Sequence, residues 1–158
     1  MSSATRTFTV LSTSFANGAA IPDRFTCEGV DRAPALSWSN VPDRTRSLAL
    51  IAEDPDAPAG TWTHWLIWNI PPKPPSLPEG TPKLPLLPSH ARQGRNDFHR
   101  IGYGGPCPPP GKLHHYIFKL YALDATLPLR PGASKADLES ALAPHILAET
   151  SWTGTCKR

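Results

Sequence analysis

The chain has 158 residues, a mass of 17.1 kDa and a formal charge of +3. That length suits one hydrophobic core and a single domain over residues 1 to 158, and basic residues scattered without a run beyond Lys157 and Arg158 exclude a nucleic-acid footprint. With 20 prolines and 39% hydrophobic residues, the composition excludes an architecture of long helices and points to strands joined by ordered loops.

The opening stretch, MSSATRTFTVLSTSFANGAA, is broken throughout by Ser, Thr, Arg and Asn, which argues against a signal peptide or a transmembrane helix. Within it, residues 5 to 11 (TRTFTVL) read as a first strand, and residues 46 to 52 (RSLALIA) as a second. Cys27, Cys107 and Cys156 form an odd set without C-x-x-C spacing. Such a set suits a reducing compartment rather than a disulfide framework, so the expected location is cytoplasmic.

Next comes EDPDAPAG at residues 53 to 60, which places Asp54 and Asp56 two apart on a proline-containing turn. Ordinary turn chemistry accounts for either aspartate alone, since its carboxylate accepts nearby backbone N–H groups. So sharp a turn out of a strand also suits a cis bond at Ala57-Pro58.

Residues 61 to 70, TWTHWLIWNI, are the next strand. Alternation puts Trp62, His64, Leu66, Trp68 and Ile70 on one face and Thr61, Thr63, Trp65, Ile67 and Asn69 on the other. Both faces are largely apolar, as in a central strand of a sandwich. The proline-dense stretch at 71 to 88 then reads as a long loop fixed over one surface, because neither flank has enough strands to close a core by itself.

A glycine and proline cluster, GYGGPCPPPG at 102 to 111, leads into the strand HHYIFKLYAL at 114 to 123. Glycines there would let backbone N–H groups converge on a ligand. Alternation sets His114, Tyr116, Phe118, Leu120 and Ala122 on one face and His115, Ile117, Lys119 and Tyr121 on the other, which makes His114 the inward histidine. Farther on, Ser134 and Asp137 resemble a capping box before a short helix ending near Pro144, and PHILAE at 144 to 149 reads as the start of another.

Asp54, Asp56, His64, His114 and Tyr116 thus gather at strand ends as the best site candidate. Two aspartates and two histidines also suit zinc, yet zinc motifs seldom divide their ligands so, and no metal or other cofactor is expected. Catalysis is not expected either, because no G-x-S-x-G elbow or comparable nucleophile signature accompanies these residues. Cys107, close to the pocket loop, would be nucleophilic if its pKa were lowered, although a buried structural thiol is the commoner reading.

The segments LSW, LALIAEDPDAPAGTWTHWLIWNIP, LPEG, GRNDF, GYGGPCPPPG and HHYIFKLYALD occur in the order and spacing of the phosphatidylethanolamine-binding protein family. The chain resembles its bacterial branch, the Raf kinase inhibitor-like proteins, over roughly residues 8 to 158. The resemblance implies a mainly β fold: an antiparallel Greek-key β-sandwich with short peripheral helices, long Pro-rich loops and a small anion pocket at one end. It further implies that Asp54, Asp56, His64, Gly104, Gly105, Pro106, His114 and Tyr116 bind the ligand. His115 departs from the family pattern, standing where an arginine is usual, as do His99, Ala33, Trp152 and Cys156 at their own positions.

The expected function is a binding module for phosphate-containing or other anionic ligands, such as phospholipid headgroups, nucleotides or phosphorylated side chains. The acids would hold the imidazoles in their protonated form, and the 104 to 106 backbone would add a small anion nest. The alternatives are an inhibitor or scaffold acting on a kinase or protease, and a minor hydrolase-like activity. The resemblance also admits a homodimer, and no integral membrane segment or nucleic-acid partner is expected.

Overall fold

A computed structural model describes residues 7–158. Its strands form a three-stranded sheet, ordered β1-β2-β5, and a five-stranded sheet, ordered β6-β4-β3-β7-β8. They are β1 (Thr9–Leu11), β2 (Leu36–Ser39), β3 (Ser47–Asp54), β4 (Trp62–Ile70), β5 (Ser76–Leu77), β6 (Arg92–Gln93), β7 (His114–Leu123) and β8 (Ile146–Cys156). All strand pairings within these sheets are antiparallel. The fold is therefore mainly β. The first two positions of the strand expected over 5 to 11 lie outside the described residues, and the pairing begins at Thr9.

Val10, Leu36, Trp38 and Leu77 from the smaller sheet share one buried cluster with Leu48, Leu50, Trp65, Ile67, Phe118 and Leu120 from the larger. The opposite face of the larger sheet carries Ala49, Ile51, Leu66 and Trp68, and Leu138 and Leu142 of helix α1 (Lys135–Leu142) cover it. Every residue of β3 is buried, as expected of a strand covered on both sides. Each fully buried leucine contributes about 1.5–3 kcal/mol relative to an exposed one.

The proline-dense stretch is tied down within this core. Leu77 and Leu87 are buried, and the Trp38 indole donates to Pro72 O at 3.0 Å. Ser134 caps α1 by accepting from Asp137 N at 3.2 Å. The helix expected from PHILAE does not form: after a 3-10 turn at Ala143–His145, Ile146 begins β8. β8 pairs with β7 from Ile146 to Cys156, so the long edge of β7 supplies the hydrogen bonds that decide the conformation of this segment.

Two local details depart from the sequence reading. Ala57-Pro58 is trans, and the cis bond among the described residues is Lys73-Pro74. The acidic turn is closed instead by Asp54 Oδ1, which accepts Asp56 N at 2.7 Å. Cys27 and Cys107 are joined in a disulfide and only Cys156 is free, so the cysteine count loses its force as an indication of a reducing compartment. Among the described residues no helix is long and apolar enough to cross a membrane.

Candidate functional site

Strand direction explains why the candidate residues meet. β3 runs antiparallel to both β4 and β7, so the end of β3 lies beside the beginnings of its two neighbours. Asp54 closes β3, Trp62 and His64 open β4, and His114 and Tyr116 open β7. Asp54, His64, His114 and Tyr116 line one cavity of about 230 Å³, together with Trp62, Phe98, Cys107 and the prolines at 58, 108 and 109.

His64 reaches this cavity through a bulge. Ala52 pairs with Trp65 and Glu53 with Thr63, which leaves His64 as an extra residue in β4. Strict alternation would have put His64 with Leu66 and Trp68, beneath the helix. The insertion instead turns its ring toward Tyr116, with centroids 5.1 Å apart, and toward Phe98 at 5.4 Å. A second register shift, between Leu48 and Leu50, accompanies a left-handed Asn69 and returns Ile70 to the core shared by the sheets.

The hydrogen bonds determine what each ring presents. His114 is 2% exposed, and its Nδ1 lies 2.6 Å from Asp54 Oδ2. With an ionised carboxylate as acceptor, Nδ1 carries the hydrogen, so Nε2 is the nitrogen left for the cavity. His64 Nδ1 lies 2.6 Å from Gly104 O, and a carbonyl can only accept, so Nδ1 again carries the hydrogen. Burial lowers the His64 pKa from 6.5, against the opposing pull of the Gly104 carbonyl and of Asp54. A neutral His64 therefore offers Nε2 as an acceptor. Burial, reinforced by the Asp54 charge, raises the Tyr116 pKa and holds its hydroxyl protonated as a donor. The Trp62 indole N–H is buried without a partner among the described residues.

The other expected residues take different roles. Asp56 does not line the cavity; its Oδ2 accepts from His115 N at 2.9 Å and pairs with His115 Nδ1 at 2.7 Å on the outer face of β7. The side-chain bond from His115 is the main reason its carboxyl pKa is lowered. The expectation that the acids hold the pocket imidazoles is corrected accordingly: Asp54 holds His114, whereas His64 bonds the Gly104 carbonyl and no carboxylate among the described residues.

Nor do Gly104, Gly105 and Pro106 form an anion nest. Gly104 N donates to His64 O at 2.9 Å, Gly105 N donates to Asp31 Oδ1 at 2.6 Å, and proline has no N–H. Glycine is needed there for space instead. A Cβ on Gly105 would lie 2.2 Å from Phe25 O, and one on Gly104 would lie 2.6 Å from the Phe98 ring.

Trp62, Phe98 and Cys107 line the cavity although the sequence reading did not assign them to it. Trp62 could have been found, since it shares the alternation of His64 at the start of the same strand. Phe98 arrives from a separate loop and left no periodic signal.

A family model described as phosphatidylethanolamine-binding protein matches residues 11–157. The chain is 51% identical over 151 residues to a UPF0098 protein of Pyrococcus horikoshii, a match covering 94% of this chain and 76% of the relative. It is 48% identical over 151 residues to a UPF0098 protein of Aquifex aeolicus, covering 94% and 88%. Among solved structures, Escherichia coli YbcL, described as a new member of the mammalian family, matches with a TM-score of 0.90 at 36% identity, covering 97% of this chain and 99% of that one. A phosphatidylethanolamine-binding protein homologue from Chlamydia trachomatis matches with a TM-score of 0.88 at 38% identity, covering 98% and 99%.

Proposed function

The chain belongs to the phosphatidylethanolamine-binding protein family, and from that premise we propose that its strand-end cavity binds a small phosphate-bearing group without transforming it. The observation that carries this reading is the buried Asp54–His114 pair at 2.6 Å, beside a protonated Tyr116 hydroxyl in a cavity of about 230 Å³. A cavity of that size suits a phosphate with a short headgroup.

In the bound state a proton on His114 Nε2 gives the ring two N–H donors, one to Asp54 and one to a phosphate oxygen, and the carboxylate offsets the positive charge. Tyr116 donates a second hydrogen bond. His64 supplies the complementary function: its neutral Nε2 accepts from a P–OH of a phosphate monoanion or from the ammonium of an ethanolamine headgroup. The strained-looking choice of an acid beside an anion site is thereby reconciled, since Asp54 meets the imidazole and leaves the ligand to the ring.

Binding without turnover fits the same residues. The Tyr116 hydroxyl is held protonated, and Cys107 is in a disulfide, so neither is an activated nucleophile. Calorimetric titration with inorganic phosphate and with glycerophosphoethanolamine tests the proposal. His114→Ala should weaken both ligands at least tenfold, a loss of about 1.4 kcal/mol or more, and Tyr116→Phe should weaken them less. Unchanged affinity in His114→Ala would refute it.

A further inference from the structure

Beyond Phe98 and the disulfide lies a second, larger cleft of about 630 Å³, lined by Asp31, Lys83, Asn96, Phe98, Arg100, Ile101, Tyr103 and neighbouring glycines and cysteines. Phe98 and Cys107 line both spaces, so the two clefts share a wall. We propose that this cleft is a second ligand subsite, which takes an anionic group carried on an apolar body.

The polar groups of the lining are already engaged, with two exceptions. Tyr103 donates to Phe25 O at 2.6 Å, and Gly104 N and Gly105 N donate to His64 O and Asp31 Oδ1. Asp31 spends its second oxygen on Lys83 at 3.2 Å. What remains for a ligand is the Arg100 guanidinium, which has no ion pair among the described residues, and the unused hydrogens of the exposed Lys83 ammonium. Against the single Asp31 carboxylate these two cations leave the cleft positive. Phe98, Ile101 and Tyr103 supply apolar walls.

The loop that carries these groups is held in place by a buried side chain. Asn96 is 3% exposed; its Oδ1 accepts from Phe98 N at 2.9 Å and Arg100 N at 3.2 Å, and its Nδ2 donates to Gly102 O at 2.9 Å. One residue thus fixes Phe98 between the clefts and Arg100 at the rim of the second, which keeps the ordering cost of binding low. Charge and apolar wall together select an amphipathic anion such as an aryl carboxylate.

Benzoate and its neutral counterpart benzyl alcohol are suitable probes, read by chemical-shift titration of the nitrogen-15-labelled protein. Benzoate should shift the amides of residues 96 to 105, bind about tenfold more tightly than benzyl alcohol, and weaken about tenfold in Arg100→Gln, which alters only an exposed side chain. Saturating inorganic phosphate should leave the benzoate shifts in place. The proposal is overturned if benzoate produces no shifts, if its shifts centre on His64, His114 and Tyr116 and vanish with phosphate, if benzyl alcohol binds as well, or if Arg100→Gln binds benzoate like wild type. Because benzoate binding is read without phosphate, failure of this subsite is distinguishable from failure of the phosphate pocket, which His114→Ala reports separately.

Discussion

Replacing Asp54 separates its structural role from its effect on His114. The side chain is buried and makes two short bonds, accepting Asp56 N at 2.7 Å and pairing with His114 Nδ1 at 2.6 Å. Each is charge-assisted and contributes about 1.5–3 kcal/mol. Asp54→Ala removes both and leaves a buried imidazole N–H without an acceptor, so unfolding free energy should fall by about 3–5 kcal/mol. Asp54→Asn is a milder change. Its amide oxygen can still accept Asp56 N–H and keep the turn, but its NH₂ then faces His114 Nδ1, which must become an acceptor. The ring proton moves to Nε2 and a charge-assisted bond becomes a neutral one, for a loss of about 1–1.5 kcal/mol in stability. Phosphate affinity should fall about tenfold, because the donor to the ligand survives only as a neutral N–H once the carboxylate that supports a protonated ring is gone. Urea unfolding gives the stability differences, calorimetry the affinities, and imidazole nitrogen shifts the tautomer. An Asp54→Asn protein that keeps the Nδ1–H tautomer, the wild-type urea midpoint and the wild-type phosphate affinity would refute this account of the pair.

Burial keeps His64 neutral with a pKa below 6.5, so the unfolded chain takes up a proton there that the folded chain does not. Its stability contribution is full above 6.5 and is lost as pH falls from there through the lower folded-state pKa, and the urea-midpoint difference between wild type and His64→Gln should narrow towards acid; a difference constant from about pH 7.5 to about pH 5.5 would count against it. Gly105→Ala places a Cβ 2.2 Å from Phe25 O and 2.4 Å from Asp31 Oδ1. Overpacking of that kind costs about 1–3 kcal/mol, and a scan should show the thermal midpoint lowered by several degrees rather than unchanged. The Cys27–Cys107 disulfide spans 80 residues of sequence, so its loss should lower unfolding free energy by about 4 kcal/mol. Thiol titration of the denatured, unreduced protein should find one reactive cysteine, and three would show that the bond is absent.

Much of the site was legible in the sequence because β7 obeys a strict period of two. His114 and Tyr116 fall on the inward side with Phe118 and Leu120, His115 falls outside, and a single strand suffices to show it. The capped helix at Ser134 was legible for the same reason, since capping is a contact between residues three apart.

What tertiary structure alone decided depends on partners distant in sequence. β8 is a strand because β7 offers it a full edge of hydrogen bonds, although PHILAE taken locally reads as helical. Asp56 turned to His115, and the Gly104 and Gly105 amides to His64 O and Asp31, because those acceptors and donors arrive from other strands and loops. The disulfide joins cysteines whose separation of 80 residues carries no spacing signal. His64 itself reaches the cavity only through one extra residue in β4 opposite Ala52 and Glu53, a register choice settled between two strands. A one-residue shift moves a side chain from one face of a sheet to the other, so its direction is fixed only when the neighbouring strand is in place.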